Sequence, residues 1–116
     1  MGLLDRFRRG GPGGIVDATD ARYLADWVRT HIGAEAYIEP KTTVTDVTVV
    51  LVAADGEWTR RIVGEQGARR LSGWLKIPVY DVSRTGYPQR MRDYDARRRI
   101  ERKRALEDEL RDPRID

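Results

Sequence analysis

The stretch VTDVTVVLVAADGEWTRRIVG, from Val44 to Gly64, decides the fold. Aliphatic and β-branched residues run unbroken from Val47 to Val52, Asp55-Gly56 interrupts them, and Trp58 to Val63 resumes the pattern. Two such runs around Asp-Gly predict a β-hairpin. Taking Asp55 and Gly56 as a two-residue turn sets a register with Ala53 opposite Trp58, Leu51 opposite Arg60, Val50 opposite Arg61 and Val49 opposite Ile62. Val47, Val49, Leu51, Ala53, Trp58 and Ile62 then share the core face, and Thr48, Val50, Val52, Thr59 and Arg61 share the other. Arg60 falls on the buried side, where it must snorkel past an edge or pair with a carboxylate.

Working outward, DATDARYLADWVRTHIG (Asp17 to Gly33) predicts an amphipathic helix. Ala21, Leu24, Ala25, Val28 and Ile32 form its apolar stripe, widened by Tyr23 and Trp27. Asp17, Thr19 or Asp20 can cap its start and Gly33 its end. EAYIEP (Glu35 to Pro40) predicts a short strand. EQGARRLSGWLK (Glu65 to Lys76) predicts a second helix carrying Ala68, Leu71, Trp74 and Leu75 inward, with Gly73 available for close packing. IPVYDV (Ile77 to Val82) predicts a strand that Pro78 pushes to a sheet edge, SRTGYP (Ser83 to Pro88) a turn, and Gln89 to Asp112 a helix that Pro113 ends. The expected fold class is α+β: a mostly antiparallel sheet of three to four strands with two packed helices on one face, in the order αβββαβ, and a projecting C-terminal helix. Residues 1–14 form a basic segment that GGPGG makes flexible; 15–86 form the core domain; 87–116 form the charged helix.

The first five elements, from Asp17 to Leu75, resemble in order the double-stranded-RNA-binding domain, whose core is αβββα. In that family the start of the second helix grips phosphates, and the first helix and the hairpin loop enter successive minor grooves. The resemblance therefore implies RNA contact near Arg69 and Arg70 and around the loop Ala54 to Glu57. This chain departs from the family's pattern in having no lysine cluster there, in placing Glu65 at the helix start, and in adding a strand and a helix.

Composition narrows the chemistry. Of 116 residues, 40% are hydrophobic and 35% charged, which suits one globular domain with a heavily charged surface. Cysteine is absent, so disulfide and thiolate chemistry are excluded, and a reducing, cytoplasmic location is expected. No apolar run approaches the roughly 20 residues needed to span a bilayer. His31 is the sole histidine and the serines are Ser72 and Ser83, leaving no nucleophile paired with a base and no metal-ligand cluster. The expectation is a protein that is not an enzyme and carries no metal or cofactor. Tyr80, Tyr87 and Arg84 can decorate a pocket beside the turn.

Binding remains, and its candidates are cationic. Lysine occurs three times, so 19 of the 22 basic residues are arginine, the better fork for phosphates and carboxylates. RRIVGEQGARR (Arg60 to Arg70) joins a strand to a helix through two glycines. Arg60 and Arg61 point to opposite faces of a strand, so they cannot clamp one phosphate, and Glu65 itself satisfies the helix dipole. Arg61, Arg69 and Arg70 remain as usable cations. The C-terminal helix is more polarised: Arg97, Arg98, Arg99, Arg102, Lys103 and Arg104 form a basic block, and Glu107, Asp108, Glu109 and Asp112 an acidic one. Met91, Tyr94, Ile100, Leu106 and Leu110 make no continuous stripe, so much of the helix must project or lie on a partner. Basic residues early and acidic residues late oppose the macrodipole, and an acidic partner beside the basic half relieves this. The expected partner is RNA or a ribonucleoprotein; the alternative is an acidic protein surface, with the chain an accessory protein of a larger assembly using its terminal arms and sheet edge. Leu3, Leu4 and Phe7 among Arg6, Arg8 and Arg9 also give residues 1–9 the character of a peripheral membrane contact.

Overall fold

The computed structural model describes residues 18–111, so the proposed membrane contact of residues 1–9 lies outside the described residues. The elements run α1 (Ala18–Thr30), β1 (Glu35–Glu39), β2 (Thr48–Val52), β3 (Trp58–Ile62), α2 (Gly64–Trp74), β4 (Val79–Asp81), α3 (Val82–Thr85) and α4 (Gln89–Arg111). The four strands form one sheet in the order β3-β2-β1-β4. Pairing is antiparallel between β1 and β2 and between β2 and β3, and parallel between β1 and β4. The class is α+β, as expected, and β4 is the edge strand that Pro78 predicts.

One face of the sheet carries the aliphatic core. Ala36, Val49 and Leu51 pack against Ala21, Leu24 and Trp27 of α1 and against Ala68 and Leu71 of α2. Leu24, Leu51 and Leu71 are fully buried, each contributing about 1.5–3 kcal/mol by leaving water. α1 stops at Thr30, and Gly33, at φ +67°, turns the chain into β1. Ile32 therefore falls past the apolar stripe and is 87% exposed, contrary to the expectation that it packs. Gly73 also differs: a Cβ there would meet nothing within 4 Å, so it serves no close approach. Ser83 to Thr85, expected as a plain turn, is a helical turn started by Asp81, whose carboxylate accepts from the Ser83 amide at 2.9 Å.

The hairpin register is one residue away from the expected one. Val52 pairs with Trp58, Leu51 with Thr59, Val50 with Arg60, Val49 with Arg61 and Thr48 with Ile62. The reason lies in the loop. The Gly56 amide donates to the Ala53 carbonyl at 3.0 Å and the Ala53 amide to the Glu57 carbonyl at 2.8 Å, with Gly56 at φ +94°. That is a three-residue loop, Ala54-Asp55-Gly56, with glycine at its left-handed position. The shift turns β3 over. Trp58, Arg60 and Ile62 leave the aliphatic face, and Thr59 and Arg61 take it, Thr59 bonding the Tyr23 hydroxyl at 2.7 Å.

The second sheet face is covered too, which corrects the expectation of helices on one face only. Tyr37, Val50 and Val52 pack against Met91 of α4, with Trp58, Val82 and Tyr87 around them. Every residue of β2 is buried as a result.

Candidate functional site

The second sheet face is built from alternation. Glu35, Tyr37 and Glu39 are two apart on β1 and point the same way. Each carboxylate gathers donors from elements distant in sequence. Glu35 accepts from Arg90 Nη2 at 2.6 Å, from the Tyr37 hydroxyl at 3.2 Å and from the Tyr80 hydroxyl at 3.2 Å. Glu39 accepts two bonds from Arg60, at 3.0 and 2.9 Å, and one from the Tyr87 hydroxyl. The register shift takes Arg60 off the aliphatic face expected for it, and it is exposed while pairing with Glu39, its guanidinium 5.2 Å from the Trp58 ring centroid.

Burial opposes both charges of the Glu35–Arg90 pair, raising the carboxyl and lowering the guanidinium. The pair's hydrogen bond and mutual attraction, with the tyrosine hydroxyls helping Glu35, outweigh it. Glu35 is held below its ordinary value and Arg90 above. The Tyr37 hydroxyl is pushed up by burial and then by the Glu35 charge, and that of Tyr80 by its hydrogen bond to Glu35. Both carboxylates are occupied as latches. Arg90 extends its latch to the hairpin, donating through Nε to the Ala53 carbonyl at 2.8 Å.

The Glu35–Arg90 latch fixes the first turn of α4, and the Tyr87–Glu39 bond holds the chain just before it. Asp95 accepts from the Trp58 indole at 2.8 Å, and Arg97 donates to the Asp55 carbonyl at 3.0 Å. The hairpin loop receives the helix only because Gly56 has no side chain: a Cβ there would sit 2.1 Å from the Arg90 carbonyl oxygen. Beyond Arg97 the helix leaves the domain. Arg98–Arg111 extends for about 20 Å, and among the described residues no hydrogen bond or ion pair ties it to another element. Ile100, Leu106 and Leu110 are 51%, 56% and 74% exposed.

The nine cations singled out from the sequence divide between two regions. Arg61 lies against α1, its guanidinium 3.8 Å from the Tyr23 ring and 3.7 Å from Asp20. Arg69 pairs with Glu65 at 2.9 Å, and Arg70 lies next to it in α2. Arg97 is spent on the hairpin. Arg98 pairs with Glu101 at 3.3 Å along the same helix. Arg99, Arg102, Lys103 and Arg104 are exposed on the projecting part of α4. The helix therefore presents a continuous cationic block, and the strand-to-helix arginines are separate from it. Sequence reasoning missed Glu35, Glu39 and Arg90, although Glu35-Ala-Tyr37-Ile-Glu39 does carry the alternation of a polar, aromatic strand face.

Among the described residues no group of three His, Asp or Glu side chains is placed to hold a metal, and no helix is long and apolar enough to cross a membrane. His31 stacks on Trp27 at 3.7 Å and meets Glu57 at 3.1 Å, a packing position at the end of α1. Compared with family models, curated proteins and solved structures, the chain matches none.

Proposed function

We propose that this chain is a non-enzymatic binding module whose working surface is the projecting half of α4, which docks a protein partner, as an accessory protein of a larger assembly does. The carrying observation is that both charge blocks of that helix are exposed on one rod. Arg99, Arg102, Lys103 and Arg104 come first, then Glu107, Asp108 and Glu109, with only Glu107 half-covered. A nucleic acid is uniformly anionic, so it would favour the first block and be repelled by the second. A protein helix or strand of alternating charge can match both. Two further observations support a protein partner. One side of the hairpin loop, which RNA would need in the double-stranded-RNA-binding mode, is taken by α4: Gly56 is buried against the Arg90 carbonyl, and the Asp55 carbonyl accepts from Arg97. Arg61 is engaged by the Tyr23 ring and lies 3.7 Å from Asp20.

The test is capture of partners by the tagged full chain, with and without nuclease, beside a chain ending at Arg97. Capture that survives nuclease and disappears on truncation is expected. R98E with R102E should weaken it more than R69E with R70E. Nuclease-sensitive capture, or an RNA gel shift whose affinity falls steeply with salt, would establish the RNA-binding alternative instead.

A further inference from the structure

We infer that the partner fitting the projecting half of α4 is a second copy of the same helix, laid antiparallel. This rests on the interaction-module reading and names its occupant. At about 100° per residue, Arg99, Lys103, Leu106 and Leu110 fall within an arc of about 60°. They recur at spacings of four, three and four, the a/d pattern of a two-helix seam. That arc lies roughly 120° round the helix from Met91 and Tyr94, which face the domain, so the domain does not cover it. Leu106 and Leu110 are the exposed apolar members, and the stems of Arg99 and Lys103 complete the seam as long side chains do beside apolar surface.

The charge order selects the direction. A parallel pair would set Arg99 against Arg99 and Lys103 against Lys103 at the centre. An antiparallel pair sets Lys103 beside the partner's Leu106 and Arg99 beside the partner's Leu110. In that register Arg102 faces the partner's Glu109, and Glu109 faces the partner's Arg102, so a single two-fold axis satisfies both. The basic half of each helix then lies along the acidic half of the other, and the unfavourable order of charge along each macrodipole is relieved by its neighbour. The seam is short against the roughly 1,200 Å² at which standard interfaces begin, so association is expected to depend on concentration and on salt.

Sedimentation equilibrium of the full chain at low salt, from micromolar to millimolar concentration, tests this. The apparent mass should rise from 13.3 kDa towards twice that value, and added salt should reverse the rise. R102E alone and E109R alone should each weaken association about tenfold, since two facing pairs become repulsive. An equimolar mixture of the two variants should recover it, because each then meets an opposite charge at both contacts. A single 13.3 kDa species at every concentration, or a mixture no better than its components, overturns the self-pairing. If the chain is monomeric yet captures another protein through Arg98–Arg111, only the self-pairing falls. If truncation at Arg97 changes neither mass nor capture, the interaction module falls with it.

Discussion

The two halves of α4 belong to one helix and have opposite fates. From Gln89 to Arg97 it is bound to the sheet by a buried methionine, by Arg90 on Glu35, by Asp95 on Trp58 and by Arg97 on the hairpin loop. From Arg98 onward no hydrogen bond or ion pair ties it to another described element, and all its side chains but Glu107 are exposed. Composition hardly distinguishes the halves, since both are rich in arginine. The difference lies in what stands opposite: the root meets a carboxylate, an indole and two hairpin carbonyls at fixed distances, and the arm meets water. A charged helix is therefore structural or available according to its neighbours, and arginine count alone does not tell which.

The sharpest way to break this contrast is to push the root off the sheet. G56A places a Cβ against the Arg90 carbonyl and strains a backbone at φ +94°. It should cost about 3 kcal/mol in urea unfolding and should raise proteolysis within Gln89–Arg97. R90M removes the Glu35 latch while keeping the aliphatic stem, and should cost about 1–2 kcal/mol because the pair is partly exposed. W58F keeps the aromatic packing but deletes the indole donor to Asp95, at about 1 kcal/mol by the same titration. Ending the chain at Arg97 should change stability by no more than about 0.5 kcal/mol, although it removes the proposed binding surface. A truncation as damaging as R90M would show that the arm is structural after all.

Acid provides a graded version of the R90M experiment. Glu35 is depressed in the folded protein, so below its ordinary value of 4.5 the unfolded chain takes up its proton before the folded one does. The stability contributed by the latch is complete above that value and is lost as pH falls through the lower, folded value. Urea titrations from neutral to acid pH should show this loss in the native chain and a smaller one in R90M. An equal acid slope in both would mean that Arg90 does not hold the Glu35 charge.

Much of the fold is legible in the sequence because periodicity and turn residues act locally. Leu24 and Leu71 sit on the stripes of their helices, and Pro78 marks the edge strand. The hairpin register is less legible. Val49-Val50-Leu51-Val52 has no polar member, so alternation cannot choose a face, and Asp55-Gly56 suits either a two-residue or a three-residue loop. The unbroken run does hold one further signal: a strand apolar on both sides needs cover on both sides, and the root of α4 supplies it. Which helix, and through which residues, depends on pairs such as Glu35 with Arg90 and Trp58 with Asp95. Those pairs are far apart in the chain, and no local pattern connects them. The arm is legible in a different way, because Ile100, Leu106 and Leu110 never align with Met91 into one stripe.

The glycine at the hairpin tip also bears on the order of events in folding. The hairpin closes on neighbouring residues, whereas the root of α4 must return across more than thirty positions to reach the same loop, and long loops close later. The root is therefore expected to dock on a hairpin already made and to leave it without undoing it. In the native protein the amide hydrogens of Gln89–Arg97 should exchange with solvent through an opening that leaves those of β2 protected. In such an opening Tyr37, Val50 and Val52, which pack on Met91, would face water, a transient sticky surface that the contacts of Gly56 and Arg90 would keep closed.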